Sequence, residues 1–578
     1  MEATDSSTRG TLSAVFGWAV QVTDPRFGAV GDGVTDDTAA IQAAIDFAFA
    51  SGGATVVVPP GTYMINADTG ASIWTNAGGI AMRDGLTLWI SAGATLKALP
   101  VTTVVSKVVR VHECSNVTIT GGGTIDGNRD NAVVTTGEWG YGISVNGGDT
   151  ITIDGVSTIN CWGDGINLQR LAFADYTPPR HVEIRGVKAL NNRRQGCSIE
   201  SGWDVLVEAS EFSYTNGVLP TCGIDIEPPD ANGTVDHLTI RKNIFVGNAR
   251  AGIQLWESSK TNDIVIENNA LSGNGATGSI PQMRIVDGGA GLKVTKNTFT
   301  GSSGTIAASI AGPARGGLIQ DNTFDRDLEV TGTALIVGFP RGMIVKENQI
   351  VGSLRFSYFL SFKIELNTIR PSDTQPCIDF SGVGSSQNGT IQGNTFEGGS
   401  YGIYGNQSVP MSFIKVLDNL FQHQRSPAIY VKGGDTLTVE GNTFEGCCLT
   451  TGASIIVDVN DTTGAVRRRI ERNTFKVAPR AGGPTPTNTP TSCYSSAASV
   501  QASSLLDNIK IGTIDMFPPT QATAGGTVFA ELGRVPARAS TYRPAAPPNG
   551  TMMMDLTLGI PIWYRNTAWV NHAGTVVV

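Results

Sequence analysis

The chain has 578 residues with 71 Gly, 16% charged residues and a formal net charge of -9. Many glycines and few charges favour short strands between tight turns, and this length favours an elongated repeat, which grows without thickening its core. The acidic balance excludes nucleic acid and anionic membranes as expected partners, whereas an acidic polysaccharide could still bind in a local basic groove. No run of 18 apolar residues predicts a membrane span, and the opening MEATDSSTRG lacks the pattern of a secretion signal.

The first predicted element is a helix after residue 36. Asp36, Asp37 and Thr38 supply capping groups, an Ala-rich periodic stretch follows, and Gly52 and Gly53 end it. Such a helix would cover the strand edges at the end of a solenoid. TVVVPPGTYMI, at 55–65, then predicts the first buried strand.

A repeat of alternating strands, each followed by Asn, occupies the middle of the chain. The spacing is mostly 23–28 residues, with one gap of 19 and one of 31, and the asparagines are 243, 269, 297, 322, 348, 367, 394, 419, 442 and 473. A leucine-rich repeat would need LxxLxL spacing and helical segments, which the sequence lacks. We therefore predict an all-β fold, a parallel β-helix with coils about 4.8 Å apart. Each repeated Asn is expected to bond its copies in adjacent coils and to tolerate the left-handed turn conformation.

The stretch DPRFGAVGDGVTDDTAAIQAAID, with the later VVVPPGTYMI, resembles the opening of pectate-lyase-fold proteins of phage tailspikes and related polysaccharide-degrading enzymes. The resemblance is tight over about residues 22–65, and the coil pattern extends it to about 477. It implies a right-handed parallel β-helix, and the family includes hydrolases, lyases and epimerases. No cofactor or metal is expected, because Asp32, Asp36 and Asp37 lack the further ligands of a calcium loop.

Acidic residues gather on one predicted strand of consecutive coils. The aligned strands are GINLQ (165–169), GCSIE (196–200), GIDIE (223–227) and GIQLW (252–256). Alternation places Glu200, Asp225 and Glu227 on the outer face, pointing into solvent, at about 4.8 to 8 Å spacing. Glycosidases use paired carboxyls about 5–5.5 Å apart for retention and about 6.5–9.5 Å apart for inversion. Crowding is expected to raise the pKa of one of these carboxyls, and we assign all three to catalysis.

A fourth acid, Asp164, lies nearby and could act in catalysis or cap a turn. Flat aromatic faces suit the apolar face of a sugar. The residues predicted to bind substrate are Trp256, Trp203, Tyr214, Trp162, Arg194 and Gln254.

Three other interpretations stay open. The acids could be surface charges that improve solubility and pair with Arg193 or Arg194. A polysaccharide lyase would need a base and a cation, and the candidates are Arg170, Tyr176, His181, Arg193 and Arg194. A tail fibre could also bind the polysaccharide without cleaving it.

The C-terminal region changes composition after residue 477. A Pro/Thr/Ser-rich linker leads to a segment from GTMM to TAWV that resembles the C-terminal segment of phage tail proteins. The predicted domains are a virion-attachment segment at 1–21, a catalytic β-helix at 22–477, and a linker with a trimerisation domain at 478–578. We expect a homotrimer in the virion tail that attaches to phage tail proteins through its N-terminus and acts on a bacterial surface polysaccharide. The eight Cys show no metal or disulfide spacing and predict free, buried thiols.

Overall fold

The structure is a computed structural model. It describes residues 19–53, 55–70, 72–73, 76–171, 177–229, 233–256, 261–276, 280–286, 289–311, 315–331, 341–357, 359–380, 388–405, 412–431, 436–448, 450, 454–458, 467–476, 494–496, 508–511, 537–538, 552–555, 560–565 and 568–570. Residues 1–18 of the predicted attachment segment, and most of the predicted linker and trimerisation domain, therefore lie outside the described residues. Residues 19–21, which are predicted to belong to the attachment segment, instead form a strand of the β-helix paired with Thr55–Val58. The chain divides into two compact units, Met1–Phe359 and Leu360–Val578.

The first unit is a parallel β-helix, as predicted, in which successive coils add one strand to each of three sheets. The first sheet contains Ala19–Gln21, Thr55–Val58, Thr87–Ile90, Ser115–Thr120, Asp149–Asp154, Arg180–Arg185, Gly202–Glu208, Val235–Arg241, Thr261–Asn262, Val265–Glu267, Lys293–Thr295, Arg315–Gln320 and Arg341–Lys346. The second contains Asp32–Asp36, Gly61–Ile65, Ala94–Ala98, Thr124–Asp126, Ser157–Ile159, Lys188–Leu190, Glu211–Ser213, Ile244–Val246, Ala270–Ser272, Thr298–Thr300, Thr323–Phe324 and Gln349–Ile350. The third contains Asp68–Gly70, Ile80–Ala81, Val105–His112, Trp139–Asn146, Asp164–Gln169, Gln195–Ile199, Cys222–Ile226, Ile253–Leu255, Met283–Val286, Ile306–Ala311, Asp327–Thr331 and Leu354–Ser357.

The second unit has the same three types of strand. Those of the first type are Ser361–Glu365, Gly389–Gln392, Ile414–Leu417, Thr436–Glu440 and Arg467–Glu471. Those of the second are Thr368–Ile369, Thr395–Glu397, Leu420–Gln422, Thr443–Glu445, Thr474–Lys476 and Ile509–Ile511. Those of the third are Ile378–Asp379, Ile403–Gly405, Ile429–Val431, Ile456–Asp458 and Tyr494–Ser496. A separate four-stranded sheet contains Ala537–Arg538, Met552–Asp555, Ile560–Arg565 and Ala568–Val570.

The predicted N-terminal helix is confirmed as α1, Thr38–Ala50, which buries one apolar face. Its capping differs from the prediction. The carboxylate of Asp37 accepts hydrogen bonds from the backbone N–H groups of Val30 (2.7 Å) and Gly31 (3.1 Å), not from the helix. The carboxylate of Asp36 accepts from the backbone N–H of Thr38 (3.0 Å). These acids therefore fix the turn that leads into the helix. A short 3-10 helix covers Arg129–Asn131.

The predicted Asn ladder is confirmed within each unit. In the first unit, the Asn243 and Asn269 side-chain amides each donate to the Asn carbonyl of the next coil, at 3.1 and 3.0 Å. Asn269 Nδ2 also donates to the backbone oxygen of Ile240 at 2.9 Å. The left-handed conformation was predicted at the Asn itself, but it lies one residue earlier, as at Lys242 (φ 56°). The Asn is thus free to point inward, where it satisfies backbone groups that the turn would otherwise leave buried without partners.

Seven of the eight cysteines lie in the described part of the chain, and all seven are free and buried, as predicted. No helix among the described residues is long and apolar enough to cross a membrane.

We predict that Asn269→Ala lowers the melting temperature, because it leaves the backbone N–H of Asn243 and the carbonyl of Ile240 without their partner. A buried polar group left unpaired costs about 1–3 kcal/mol. Thermal unfolding followed by circular dichroism measures the shift. Asn262→Ala is the control, since that side chain is exposed. Equal melting temperatures for the two variants would contradict a stabilising role for the ladder.

Candidate active site

The register of the third sheet confirms the predicted alignment of GINLQ, GCSIE, GIDIE and GIQLW, in which like positions of successive coils form a column. Ser198 pairs with Asp225, and Asp225 pairs with Gln254. Just beyond these strands, the backbone N–H of Glu227 donates to Ile199 (3.1 Å) and that of Trp256 to Ile226 (2.9 Å). Glu200, Glu227 and Trp256 therefore follow one another in successive coils.

In GCSIE and GIDIE, the glycine near the start of the strand is required by the close approach of the next coil. A Cβ at Gly196 would lie 2.5 Å from the carbonyl oxygen of Gly223, and a Cβ at Gly223 would lie 2.6 Å from that of Gly252. A side chain at either position would therefore force adjacent coils apart. The glycines keep the corner tight, so that the acids that follow remain one coil apart.

The prediction that Asp225 and Glu227 point together into solvent is wrong for Asp225. Its side chain is fully buried, whereas that of Glu227 is 24% exposed. Long polar side chains from neighbouring coils cover the strand, because Gln195 and Gln254 both donate to Asp225. Asp164 is likewise fully buried and begins its strand, so it belongs to the same cluster and does not cap a turn.

Arg194 holds this cluster together. Its guanidinium forms ion pairs with Glu227 (2.6 Å), Asp164 (3.1 Å) and Glu138 (3.3 Å). Burial opposes the charge of Arg194, but the carboxylates outweigh it and raise the pKa of the guanidinium. The single positive charge at the centre of the site is therefore already balanced by protein carboxylates.

Gln195 links two of the predicted catalytic acids. Its Nε2 donates to Asp225 Oδ2 (2.9 Å) and to Glu227 Oε1 (3.0 Å), so those two oxygens lie no more than about 6 Å apart. Burial, followed by the charge of Glu227, raises the pKa of Asp225 well above its usual range. Asp225 is thus a buried neighbour of Glu227 whose surroundings favour its protonated form.

Glu200 has a different environment from Glu227. Its Oε1 accepts hydrogen bonds from two neutral amides, Gln169 Nε2 (2.9 Å) and Asn167 Nδ2 (3.0 Å). Burial raises the pKa of Glu200 to about 7, although the bond from Gln169 opposes the shift. Burial also raises the pKa of Asp164 to about 7, against the effect of Arg194. A raised carboxyl pKa was predicted from crowding, but burial is the larger cause.

A pocket of about 340 Å³ opens over this cluster. Among the four predicted acids, only Glu200 and Glu227 line it. The described residues that line it are Ile73, Trp139, Arg194, Glu200, Glu227, Pro228, Pro229 and Trp256. The two prolines end the strand, so the chain turns away and leaves Glu227 at the rim. A ligand in this pocket would therefore meet two carboxyls of contrasting environment beside an indole ring.

Several residues predicted for the site lie elsewhere. Trp203 belongs to the first sheet, where His181 and His237 contact its ring edge-on. Tyr214 follows a strand of the second sheet and is 52% exposed. Trp162 does not line the pocket, and the guanidinium of Arg193 lies 3.9 Å from the centre of its ring.

The candidates for a lyase are also dispersed. His181 Nδ1 lies 2.8 Å from Asp149 Oδ1 on the first sheet. Arg193 donates to the backbone oxygens of Gly137 and Trp162, at 2.8 and 3.1 Å. Arg170 is buried, and Tyr176 lies outside the described residues. Of the members of this group that the structure describes, only Arg194 lines the pocket.

Sequence reasoning missed the polar residues that support the site, namely Glu138, Tyr141, Gln169 and Gln195, and it missed Trp139, which lines the pocket. One signal was available in GYGISVN, at 140–146, which has the glycine and alternation of the aligned strands. Its Ile143 pairs with Ile166, so this strand is the preceding coil of the same stack. No local pattern could show that Gln195 turns toward Asp225.

Comparison with known proteins agrees with this architecture. The family described as "Right handed beta helix region" matches residues 84–299 and 361–482, which is more than half of the chain. The chain belongs to this right-handed β-helix family. Residues 19–76 match the family described as "Rhamnogalacturonase A/epimerase, pectate lyase-like".

Similar proteins include the uncharacterized protein YclG of Bacillus subtilis (strain 168), 31% identical over 249 residues, or 39% of this chain and 42% of YclG. Mannuronan C5-epimerase AlgE5 of Azotobacter vinelandii is 29% identical over 290 residues, or 46% of this chain and 24% of AlgE5. The chain thus spans less than half the length of either relative. Among solved structures, the tailspike protein gp49 from Acinetobacter baumannii bacteriophage Fri1, a capsular polysaccharide depolymerase, is 15% identical with a TM-score of 0.37, and the match covers 68% of this chain and 63% of gp49.

We predict that Glu200→Gln stabilises the protein at pH 8 but not at pH 4. Below the usual pKa near 4.5, Glu200 is protonated in both the folded and the unfolded chain. As the pH rises toward the folded value of about 7, only the unfolded chain loses this proton, which disfavours folding by up to about 3 kcal/mol. Gln removes the penalty and can still accept from Gln169 and Asn167.

The measurement is the melting temperature of both proteins from pH 4 to pH 8. Glu183→Gln, at an exposed position on the first sheet, is the matched control. A difference between Glu200→Gln and the parent that does not grow with pH would show that Glu200 has an ordinary pKa.

Proposed function

We propose that this protein hydrolyses glycosidic bonds of a bacterial surface polysaccharide, with Glu200 as the general acid and Glu227 as the nucleophile or general base. The observation that carries this proposal is the contrast between the two carboxyls that share the pocket. One is surrounded by neutral amides, and the other is paired with a guanidinium. Two carboxyls with different environments are what acid–base cleavage of a glycosidic bond requires.

Glu200 is suited to donate a proton. Burial holds its pKa at about 7, so a large share of the carboxyl stays protonated at neutral pH. Its Oε1 is occupied by the amides of Gln169 and Asn167. The proton therefore belongs on Oε2, from which it can pass to the leaving oxygen of the sugar.

Glu227 is suited to act as the negative partner. Its Oε1 accepts from Arg194 and from Gln195, which fix the carboxylate at the pocket wall and leave Oε2 for the substrate or for water. Its backbone lies one coil, or about 4.8 Å, from that of Glu200. This spacing favours the shorter of the two carboxyl separations, so we expect the anomeric configuration to be retained.

Asp225 and Asp164 act through Glu227 and Arg194. Neither lines the pocket, so we assign them as positioning residues and not as groups that touch the substrate. Asp225 shares Gln195 with Glu227, and Asp164 shares Arg194 with it. Through these shared partners, Asp225 and Asp164 fix the orientation of the Glu227 carboxylate from the side away from the pocket.

A second candidate is abstraction of a proton from a uronate, as in a lyase or an epimerase. The similarity to mannuronan C5-epimerase AlgE5 favours it. Lys107 is the candidate base behind the pocket wall. Burial lowers its pKa to about 8, and its Nζ donates to the backbone oxygen of Ile73, which lines the pocket, but Lys107 itself is buried and would reach a substrate only if Ile73 moved. Reaction in deuterated water, followed by mass and ultraviolet absorption, separates the candidates. Epimerisation places deuterium on a sugar carbon, elimination leaves an unsaturated sugar that absorbs in the ultraviolet, and hydrolysis does neither.

The biological setting we propose is a homotrimeric phage tailspike attached to the tail by its N-terminus. The resemblance of the opening residues and of the GTMM to TAWV segment to phage proteins supports this setting. A polysaccharide at the surface of the host bacterium would then be the substrate.

We predict that Glu200→Gln and Glu227→Gln each lower kcat by at least about 10²-fold, as expected for loss of a general acid or of its partner. The parent activity should also fall as the pH rises through about 7, because Glu200 loses its proton there. The assay uses purified bacterial capsules and O-antigens, and the products are identified by mass, since hydrolysis adds water and elimination does not. Glu183→Gln is again the matched control. Near-parent activity in both pocket variants would place the active site elsewhere.

We predict that Trp256→Ala raises KM by about tenfold or more and changes the melting temperature little. The indole lines the pocket and is 41% exposed, so its removal costs sugar stacking more than it costs packing. Parallel measurement of kinetics and thermal unfolding checks this prediction. A large drop in melting temperature with unchanged KM would assign Trp256 a structural role instead.

A further inference from the structure

Beside the carboxylate cluster, the same face of the β-helix carries an arginine that forms no ion pair with any acid in the described residues. Arg284 pairs in register with Gln254, one coil beyond the residue that binds Asp225. Its guanidinium lies 4.4 Å from the centre of the Trp256 ring, which lines the pocket. The indole therefore separates the carboxylates from a fixed positive charge.

A second arginine lies close to the first. The backbone N–H of Arg250 donates to the carbonyl of Thr221 (3.1 Å), and Thr221 lies beside Arg194 in the register of the sheet. Arg250 thus occupies the place of Arg194 two coils further along. Burial, and then the like charge of Arg250, lower the pKa of Arg284, while Cys222 and Asp225 oppose the shift. The guanidinium of Arg250 therefore lies within electrostatic range of that of Arg284.

The contrast with Arg194 is one of charge balance. Arg194 pairs with three carboxylates, whereas no carboxylate forms an ion pair with Arg250 or Arg284 in the described part of the chain. Two like charges that are partly buried repel each other, and their solvation is reduced. A bound anion would relieve both effects, and guanidinium groups hold a carboxylate through paired hydrogen bonds.

We propose that Arg250 and Arg284 form an anion-binding subsite that holds the carboxylate of a uronic acid residue in the polysaccharide. Arg284 lies two coils, or about 10 Å, from Asp225 along the stack. The subsite therefore binds a different sugar residue from the one between Glu200 and Glu227, and Trp256 lies between the two. The proposal deepens the proposed function, since it assigns an acidic polysaccharide as the substrate class of the same groove.

The test is binding of the full chain to immobilised polymannuronate, polygalacturonate and hyaluronan, each beside its carboxyl-reduced neutral form. The Glu200→Gln background removes cleavage during the measurement. We expect at least one of the acidic polymers to bind, and reduction of its carboxylates to weaken binding by at least about tenfold. Arg284→Gln and Arg250→Gln should lose this preference. Arg185→Gln is the matched control, because Arg185 lies on the first sheet, paired with Asp154 and Glu183.

Three results would overturn the subsite: equal binding of acidic and reduced polymers, a preference that survives in both arginine variants, or no binding of any of the three acidic polymers. Failure of the proposed hydrolysis is a separate result. If the parent protein binds acidic polymers more tightly than their reduced forms but releases no hydrolytic product, the proposed subsite stands and the proposed hydrolysis is wrong. Cleavage of neutral polysaccharides alone would keep hydrolysis and reject the subsite.

Discussion

The stacking of coils in register is the constraint on which the rest of this structure depends. Backbone hydrogen bonds place each residue directly beside its counterpart about 4.8 Å away, so a position in one coil becomes a column along the face. Inside, the columns are apolar, as in Ile166, Cys197, Ile224 and Ile253, all fully buried. Outside, the same rule makes neighbours of acids that are far apart in sequence.

Such neighbours need a counter-charge, and one arginine supplies it. Carboxylates in adjacent coils repel each other, and burial adds to the cost of their charge. Arg194 offsets this cost for Glu227, Asp164 and Glu138, while Glu200 and Asp225 accept from amides. The difference between guanidinium and amide partners is what separates the proposed roles of Glu227 and Glu200. The chemistry thus depends on which residues of the neighbouring coils reach the column.

This distinction also marks how far the sequence could predict the molecule. Period-two alternation and the Asn spacing predicted the coils, and aligned glycines predicted the columns, because both follow from backbone geometry. Trp203 and Tyr214 were predicted to lie beside the acids but do not line the pocket. A corner only a few residues long is enough to place a side chain on another sheet. Burial of Asp225 could not be predicted either, because it depends on how the side chains of Gln195 and Gln254 turn.

The charge along this face of the β-helix changes sign, from acidic at Glu200 and Glu227 to basic beyond Trp256, so the two ends of a bound polysaccharide meet different charges. In the stack that contains Glu200, Glu227 and Trp256, the acids come first and the indole follows. Beyond it lies the guanidinium of Arg284, which forms no ion pair within the part of the chain that the structure describes. A neutral polysaccharide would gain little from the guanidinium groups beyond Trp256. An acidic polysaccharide would be attracted to them and repelled by any ionised carboxylate at Glu200 and Glu227. A uronate polymer would therefore bind with its charged groups beyond Trp256 and with an uncharged or partly neutralised sugar at Glu200 and Glu227. A proton held on Glu200 would favour this arrangement, because it reduces the negative charge where the chain enters the pocket.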